Sequence, residues 1–214
     1  MTRRSLGPAL AGLVLVGCDR LTSKSQPSKT PAKGERGGAI PQDTLDASEL
    51  RLDYAIYLED GGSAKPIDEK HHFRSGEQFR IELRPAFPAH IYLLNRGPRQ
   101  ERYSRLFPVS GKPLENPLEP NRAVMLPGNN EWYTLDNRPG VENVVLIAAA
   151  FPLVEFNTPE QSIPRDECED RIALLERDYR PSSSRRFEDK GKVKLFAARE
   201  AKTVIVLRLP LDHR

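Results

Sequence analysis

The sequence has few cysteines. Only Cys18 and Cys168 occur among its 214 residues. Two cysteines allow one disulfide at most, so the dense disulfide framework of many small secreted domains is excluded. The folded part must therefore depend on its hydrophobic core. A domain of roughly 150 residues can bury about 70% of its unfolded surface, which is sufficient.

An excess of one charge sign is also lacking. The chain has 33 Lys and Arg against 30 Asp and Glu, and without Arg3 and Arg4, which precede Cys18 in a segment free of acidic residues, 31 basic residues remain against the same 30. A dedicated nucleic-acid-binding protein needs a basic excess or a basic stripe to displace counterions. We therefore predict that nucleic acid is not a partner.

The known spacings of catalytic and cofactor-binding residues are absent from the sequence. It contains no GxSxG, HExxH, CxxC, GxGxxG or P-loop pattern. We therefore predict no catalytic residues and no cofactor, and expect that the protein is not an enzyme.

Histidines are few and do not suggest a metal site. They are His71, His72, His90 and His213. The first two are adjacent, so in a strand they would point to opposite faces and could not easily share an ion. In a loop they could do so, with Asp68 and Glu69 nearby. His90 has no evident Ser or Cys partner, and His213 is expected at a frayed C-terminus, so we predict no metal site.

The N-terminal segment has the three parts of a secretory signal. Arg3 and Arg4 come first, an apolar run spans Leu10–Val16, and the small Gly17 precedes Cys18. Signal peptides have this order of positive end, apolar core and small residue at the cleavage site. The run is much shorter than the roughly 20 residues of a membrane-spanning helix. It therefore predicts export and not a stable transmembrane anchor.

The end of this segment resembles the lipobox of bacterial lipoproteins, which reads Leu, two small or apolar residues, then Cys. The residues here are Leu15, Val16, Gly17 and Cys18. The resemblance implies that Cys18 carries diacylglycerol, becomes the first mature residue and anchors the protein to a membrane of the cell envelope. Asp19 is similar to an inner-membrane retention signal of enteric bacteria, which favours a periplasmic location. The alternative is an ordinary secreted protein with a chance cysteine.

Composition divides the chain into three segments. These are a signal peptide at residues 1–17, a lipidated cysteine with a disordered tether at 18–49, and one β-rich domain at 50–214. The tether is rich in Ser, Thr, Pro, Lys and Gly and has almost nothing to bury, so it cannot offset the entropy of ordering. A flexible chain of this length reaches about 30 Å, which would hold the domain away from the membrane.

The domain has the pattern of short strands. "LDYAIYL" and "QFRIELR" alternate apolar and polar residues, and further apolar runs are separated by turns such as "NRGPR" and "PGNN". About eight or nine such strands without alternating helices predict a mainly β fold, an antiparallel β-sandwich.

One α-helix is predicted near the C-terminus, in "RDECEDRIALLERDY". The residues at helical spacing are Cys168, Ile172, Leu175 and Tyr179. Pro164 suits the start of a helix and Pro181 opposes its continuation. Cys168 is accordingly expected in the core and not as a nucleophile.

Residues from about Phe73 to Pro152 resemble the bacterial domain-of-unknown-function family 4384. The matching segments are "FRSGEQFRIELRPAFPAHIYLLNRG", "RLFP" and "NRAVMLPGNNEWYTLDNRPGVENVVLIAAAFPL". A Gly-x-Glu element before an apolar strand is here Gly140 and Glu142. The resemblance implies a β-rich accessory domain of envelope proteins, and it implies no established activity or catalytic residues.

Three aromatic residues form the candidate binding patch. Trp132 and Tyr133 are neighbours, so in a strand one would face outward, and Tyr92 alternates with apolar neighbours. Outward aromatics provide large contact areas with few rotatable bonds and could bind a protein or a glycan. Alternatively, they brace a face of the sandwich beneath a helix or loop.

These observations predict a membrane-tethered envelope lipoprotein whose β domain is a non-catalytic binding or accessory module. Its partner would be another envelope protein or a glycan. One alternative is an enzyme acting on cell-wall or polysaccharide material, since acid pairs such as Glu59 and Asp60 exist; a cleft with two carboxylates about 5 to 10 Å apart would favour it. Another is a structural subunit of an envelope assembly.

Overall fold

The computed structural model describes residues 48–109, 115–128, 130–157 and 160–214. These residues belong to one compact unit. The predicted signal peptide, Cys18 and nearly all of the predicted tether lie outside the described residues. The first strand begins at Glu49, next to the predicted start of the domain at Leu50.

The described residues form thirteen strands and one α-helix. The strands are β1 (Glu49–Asp60), β2 (Ser63–Ile67), β3 (His72–Phe73), β4 (Gln78–Pro85), β5 (His90–Arg96), β6 (Arg102–Phe107), β7 (Val124–Leu126), β8 (Tyr133–Thr134), β9 (Gly140–Ala149), β10 (Ser162–Pro164), β11 (Ser184–Asp189), β12 (Lys192–Ala198) and β13 (Val204–His213). A short 3-10 helix (Val154–Phe156) precedes β10, and α1 spans Arg165–Asp178. The predicted mainly β fold is confirmed. Strands are more numerous than predicted because two- and three-residue strands are too short to show a period.

The strands belong to two sheets. Sheet A has the order β11-β12-β1-β4-β7, with β2 also paired to β1 and β8 also paired to β4. Sheet B has the order β10-β6-β5-β9-β13-β3. The pairing is antiparallel except between β13 and β3, which are parallel. The predicted antiparallel sandwich is therefore confirmed in its main features.

The first buried cluster lies between the sheets. In β4, Phe79, Ile81 and Leu83 are buried and alternate with more accessible polar residues, as the sequence predicted. From sheet B, Leu93 of β5 and Leu146 of β9 join the same cluster. Burying a side chain of this size stabilises the fold by about 1.5–3 kcal/mol.

A second buried cluster lies on the other face of sheet B, beneath α1. Cys168, Ile172 and Leu175 of the helix are fully buried there, which confirms the predicted helix and the core position of Cys168. Tyr92 and Ile147 meet them from the sheet. Sheet B is thus covered on both faces, which explains why β5 and β9 contain nearly continuous apolar runs. None of the helices in the described ranges has the length and apolar composition to cross a bilayer.

Candidate functional site

Trp132 lies on the outer face of sheet A. The guanidinium of Arg80 lies 4.4 Å from the centroid of its ring. Arg80 alternates along β4 with the buried Phe79 and Ile81, so its side chain points away from sheet B. An arginine over an indole is a cation–π contact that holds the ring in place. Of the two neighbouring aromatics, Trp132 is therefore the outward one.

Tyr133 points the other way, into the space between the sheets. Its ring lies 5.5 Å from that of Phe79, and its hydroxyl is buried with no hydrogen-bond partner among the described residues. Burial, and to a smaller extent the Glu131 carboxylate, raise the pKa of this hydroxyl well above its usual range. The group stays protonated and is a donor that lacks an acceptor.

Tyr92 is not part of a surface. It is 1% exposed in the cluster beneath α1, and its hydroxyl accepts a hydrogen bond from the backbone N–H of Leu153 at 2.9 Å. Since α1 and the 3-10 helix region cover this face of sheet B, Tyr92 braces the sandwich, which corrects its predicted place in the patch. Of the three candidates, only Trp132 lies on an outer face, where its side chain is half-buried.

A polar cluster lies where the interior of the sandwich opens at one end. We call it the end cluster; its residues are Asn95, Asp136, Glu142 and His213. Glu142 precedes the inward-facing Val144 by two residues, and His213 follows the inward-facing Leu211 by two. The same strand faces that build the apolar core therefore carry the polar groups at its end. Glu142 is 5% exposed and His213 is 1% exposed. Polar groups buried to this extent need partners.

The contacts within the end cluster are specific but incomplete. Asn95 Nδ2 donates to Glu142 Oε2 at 3.0 Å, and His213 Nε2 lies 3.0 Å from Ser75 Oγ. His213 Nδ1 has no hydrogen-bond partner among the described residues. Its nearest carboxylate oxygen is Glu142 Oε1 at 4.0 Å, too far for a hydrogen bond.

Asp136 completes the cluster from the loop after β8. One oxygen of Asp136, one of Glu142 and a ring nitrogen of His213 all lie within 4.8 Å of one another. The Asp136 carboxylate accepts the backbone N–H of Arg138 at 2.8 Å, and the Arg138 guanidinium lies 3.9 Å away. This exposed carboxylate connects the buried part of the cluster with solvent.

A cavity of about 200 Å³ borders the end cluster and is lined by Asn95, Asp136, Glu142 and Tyr133 among others. Sites for small organic molecules usually have about 300–1,000 Å³, whereas one water occupies about 30 Å³. The space suits an ion with a few waters better than a sugar.

The sequence did not reveal the end cluster. His213 was expected at a frayed terminus, and this was wrong: β13 pairs with β9 on one side and β3 on the other, so His213 stands opposite Gly140 and Phe73. The only available signal was the last apolar alternation, "VIVLRLPLDH", which continues to within two residues of the C-terminus. Which residues lie opposite those of β13 depends on strand pairing, which a single sequence does not show.

His71 and His72 have separate carboxylate partners. His71 Nε2 lies 3.4 Å from Glu77 Oε2, and His72 Nδ1 lies 2.7 Å from Asp212 Oδ2. The acid pair Glu59 and Asp60 ends β1, and Glu59 accepts the backbone N–H of Gly62 in the following turn at 2.6 Å. Neither group joins the end cluster.

Gly140 at the start of β9 has two reasons to be glycine. Its φ of +145° is one that other residues rarely adopt, and a Cβ there would lie 2.5 Å from Cβ of Pro98. The strand then places Glu142 two residues further, on the inward face. In the Gly-x-Glu element, the glycine thus allows the close approach of Pro98, and the glutamate two residues later supplies a carboxylate of the end cluster.

The fold is a two-sheet β-sandwich with a helix on one sheet, and a polar cluster lies at one end of its interior. Residues 72–152 match the family model described as Domain of unknown function (DUF4384), which confirms the predicted resemblance for this part of the chain. The match runs from β3 beyond the end of β9; it includes Trp132 and Glu142 but not His213. No curated protein and no solved structure matched the chain.

Proposed function

We propose that the protein is a membrane-tethered envelope lipoprotein whose β domain is a non-catalytic binding or accessory module. The lipobox-like segment ending at Cys18 and the polar composition of residues 19–49 support the tether. Its partner is another envelope protein or a glycan, and the lipid places it at the periplasmic side of the envelope. Several acyl chains hold a protein where one gives only reversible binding, since each buried methylene contributes about 0.8 kcal/mol.

The observation that carries the binding proposal is the different cover on the two sheets. In the described part of the chain, α1 covers the outer face of sheet B, while neither buried cluster contains a residue from the outer face of sheet A. The outward residues of this face are mostly polar and surround two buried apolar side chains, Ala55 and Phe196, each 3% exposed. The polar and aromatic residues around them are Arg51, Asp53, Tyr57, Arg80, Glu82, Arg84 and Lys194. A domain that accommodates a partner would leave such a face open.

Trp132 is the natural anchor of this face. Tryptophan, tyrosine and arginine dominate the binding energy of protein interfaces. The ring of Trp132 lies against Arg80, and Tyr57 is the residue of β1 that pairs with Arg80. The Tyr57 hydroxyl lies 3.4 Å from Glu82 Oε2. An aromatic ring held by an arginine loses little freedom on binding, which favours recognition.

The binding proposal is tested by capture of partners from solubilised membranes with the full lipidated protein as bait. Trp132→Ala should reduce recovery of the partner at least tenfold while changing the melting temperature little, because the ring contacts Arg80 and belongs to neither buried cluster. Leu174→Ala is the matched control, since Leu174 is an exposed apolar residue on α1. Equal capture by both variants would contradict a partner site at Trp132.

The tether proposal is tested at Cys18. Labelling cells with a clickable fatty-acid probe should mark the native protein and Cys168→Ala equally, and Cys18→Ser should lose the label and the membrane association. The Cys168→Ala variant is the control because its remaining thiol is the predicted acceptor. Labelling that persists in Cys18→Ser would contradict lipidation at this residue.

A further inference from the structure

We propose that the end cluster binds one divalent transition-metal ion of the zinc type. The proposed ligands are Nδ1 of His213 and one carboxylate oxygen each from Glu142 and Asp136. A ring nitrogen of His213 and one oxygen of each acid lie within 4.8 Å of one another, and Nδ1 is the nitrogen 4.0 Å from Glu142 Oε1. This site lies between the sheets and is independent of the partner surface around Trp132. Its role is to join three strands or loops that are distant in the sequence.

The strongest support is the state of His213. Its side chain is completely buried, yet Nδ1 has no hydrogen-bond partner among the described residues. Native proteins rarely leave a buried polar atom unsatisfied, and such an atom calls for an unseen water or ion. With its proton on Nε2, donated to Ser75 Oγ at 3.0 Å, the imidazole presents the lone pair of Nδ1 to the carboxylates. Metal-bound histidines are usually held in this way by their second nitrogen.

Two further unsatisfied groups belong to residues that line the cavity beside the end cluster. Asn95 Oδ1 and the Tyr133 hydroxyl are buried without hydrogen-bond partners among the described residues, and both residues line the cavity beside Glu142. A metal-bound water would accept from Tyr133 and donate to Asn95. One hydrated ion thus accounts for three polar atoms that otherwise have no partner.

The distances are close to those of a metal site. Zn²⁺ bonds to nitrogen and oxygen at about 2.0–2.2 Å, so its ligand atoms are separated by roughly 3–4 Å. His213 Nδ1 and Glu142 Oε1 are separated by 4.0 Å. Asp136 is exposed and can rotate toward the ion, while Asn95 already fixes Glu142 through its other oxygen, Oε2.

The ligand types select the ion. Imidazole suits Zn²⁺, Ni²⁺, Cu²⁺ and Fe²⁺, whereas Ca²⁺ and Mg²⁺ prefer oxygen ligands only. Two carboxylates balance the charge of a divalent cation. The Arg138 guanidinium, 3.9 Å from Asp136, opposes cation binding, but its side chain is exposed and can turn to solvent. We therefore expect Zn²⁺ to bind well above Ca²⁺ and Mg²⁺.

The experiment measures Zn²⁺ binding to the full-length protein after chelation and dialysis. Competition with a chromophoric chelator should give one tight site per chain, and Co²⁺ should produce visible absorption bands of a bound ion. Asp136→Asn should weaken Zn²⁺ binding at least tenfold, and His213→Gln should weaken it more. Asp170→Asn, which removes an exposed carboxylate of α1 outside the cluster, is the matched control and should bind as the native protein does.

Unchanged Zn²⁺ affinity in folded Asp136→Asn would overturn the proposal. Because Asp136 is exposed, we expect Asp136→Asn to fold, which circular dichroism checks. This variant therefore tests the proposal even if His213→Gln does not fold. The double variant His71→Gln, His72→Gln is a second test. If it loses Zn²⁺ binding while Asp136→Asn binds normally, the ion is bound elsewhere and the proposal is overturned. Partner capture by the chelated protein distinguishes this result from a failure of the proposed function, because the Trp132 surface does not require the ion.

Discussion

The hydroxyl of Tyr92 accepts a hydrogen bond of 2.9 Å from the backbone N–H of Leu153. Tyr92 lies on β5 in sheet B, whereas Leu153 immediately precedes the 3-10 helix that follows β9. The ring of Tyr92 also lies 5.8 Å from that of Phe156 in the same turn. This contact fastens the connection between β9 and α1 to the sheet, so Tyr92 is a structural residue.

Tyr92→Phe should therefore lower the free energy of unfolding. The substitution keeps the ring but leaves the buried N–H of Leu153 without an acceptor, which costs about 1–3 kcal/mol. Tyr57→Phe is the control, since its longer hydroxyl contact of 3.4 Å is only partly buried and its loss should cost less than about 0.5 kcal/mol. Urea unfolding of both variants measures the difference, and equal midpoints would show that the Tyr92 hydrogen bond contributes nothing.

The thiol of Cys168 should be unreactive in the folded protein. Burial, reinforced by the neighbouring Glu169 carboxylate, raises its pKa to about 12, and the residue is fully buried on the side of α1 that faces sheet B. At pH 8 the group is thus almost entirely protonated, while the nucleophilic form of a cysteine is the thiolate. A chromogenic disulfide reagent should label Cys168 only as the protein unfolds in denaturant. Rapid stoichiometric labelling of Cys168 in the folded Cys18→Ser protein would contradict this.

Gly140→Ala should destabilise the protein by about 1–3 kcal/mol, the usual cost of a strained backbone position. The new Cβ would meet Pro98 at 2.5 Å in addition to the unfavourable φ. Gly61→Ala separates the two effects, because Gly61 has a φ of +59° and open space around it. Thermal and urea unfolding should show a larger loss at Gly140. If the two variants lose the same stability, the contact with Pro98 has no energetic weight.

Acidification should reduce stability through Glu169. Burial alone would raise the pKa of its carboxyl, but hydrogen bonds from the Tyr103 hydroxyl and Arg208 outweigh burial and lower it. The unfolded-state pKa is about 4.3. Because the folded-state pKa is lower, the contribution is complete above that pH and is lost as pH falls through the folded value.

Glu169→Gln should accordingly be less stable than the native protein at pH 7 and show a smaller further loss below about pH 4.3. Asp170→Asn, on the same helix but exposed, is the control and should keep the native acid dependence. Melting temperatures measured from pH 7 to pH 3 give both slopes. A native acid slope in Glu169→Gln would assign the acid sensitivity to other carboxylates.

Much of the architecture followed from local pattern. The alternation of apolar and polar residues in β4 correctly predicted which residues face inward. The spacing of Cys168, Ile172 and Leu175 correctly predicted the helix and its buried side. Tyr92 was misplaced because an alternating assignment assumes that one face of a strand is wet. In β5 the helix covers that second face, and the nearly unbroken apolar run "IYLL" is the local sign of burial on both sides.

The candidate site was harder to predict because its parts come from distant positions. Glu142 was noticed only within a Gly-x-Glu element, and His213 was assigned to a loose end. Strand register brings them together, with Gly140 paired to His213 across β9 and β13. Long-range pairing of this kind is set by the whole sheet, whereas a single sequence reports mainly local periodicity.

The unequal cover of the two sheets has a consequence for motion. β9 lies between β5 and β13 with apolar contacts on both faces, so its amide hydrogens should exchange with solvent only when the whole domain opens. β11 forms an edge of sheet A, and each of its residues is exposed. It can therefore detach in small, frequent fluctuations that leave the rest of the domain closed. We therefore expect slow amide exchange in β9, beside the end cluster, and fast amide exchange in β11.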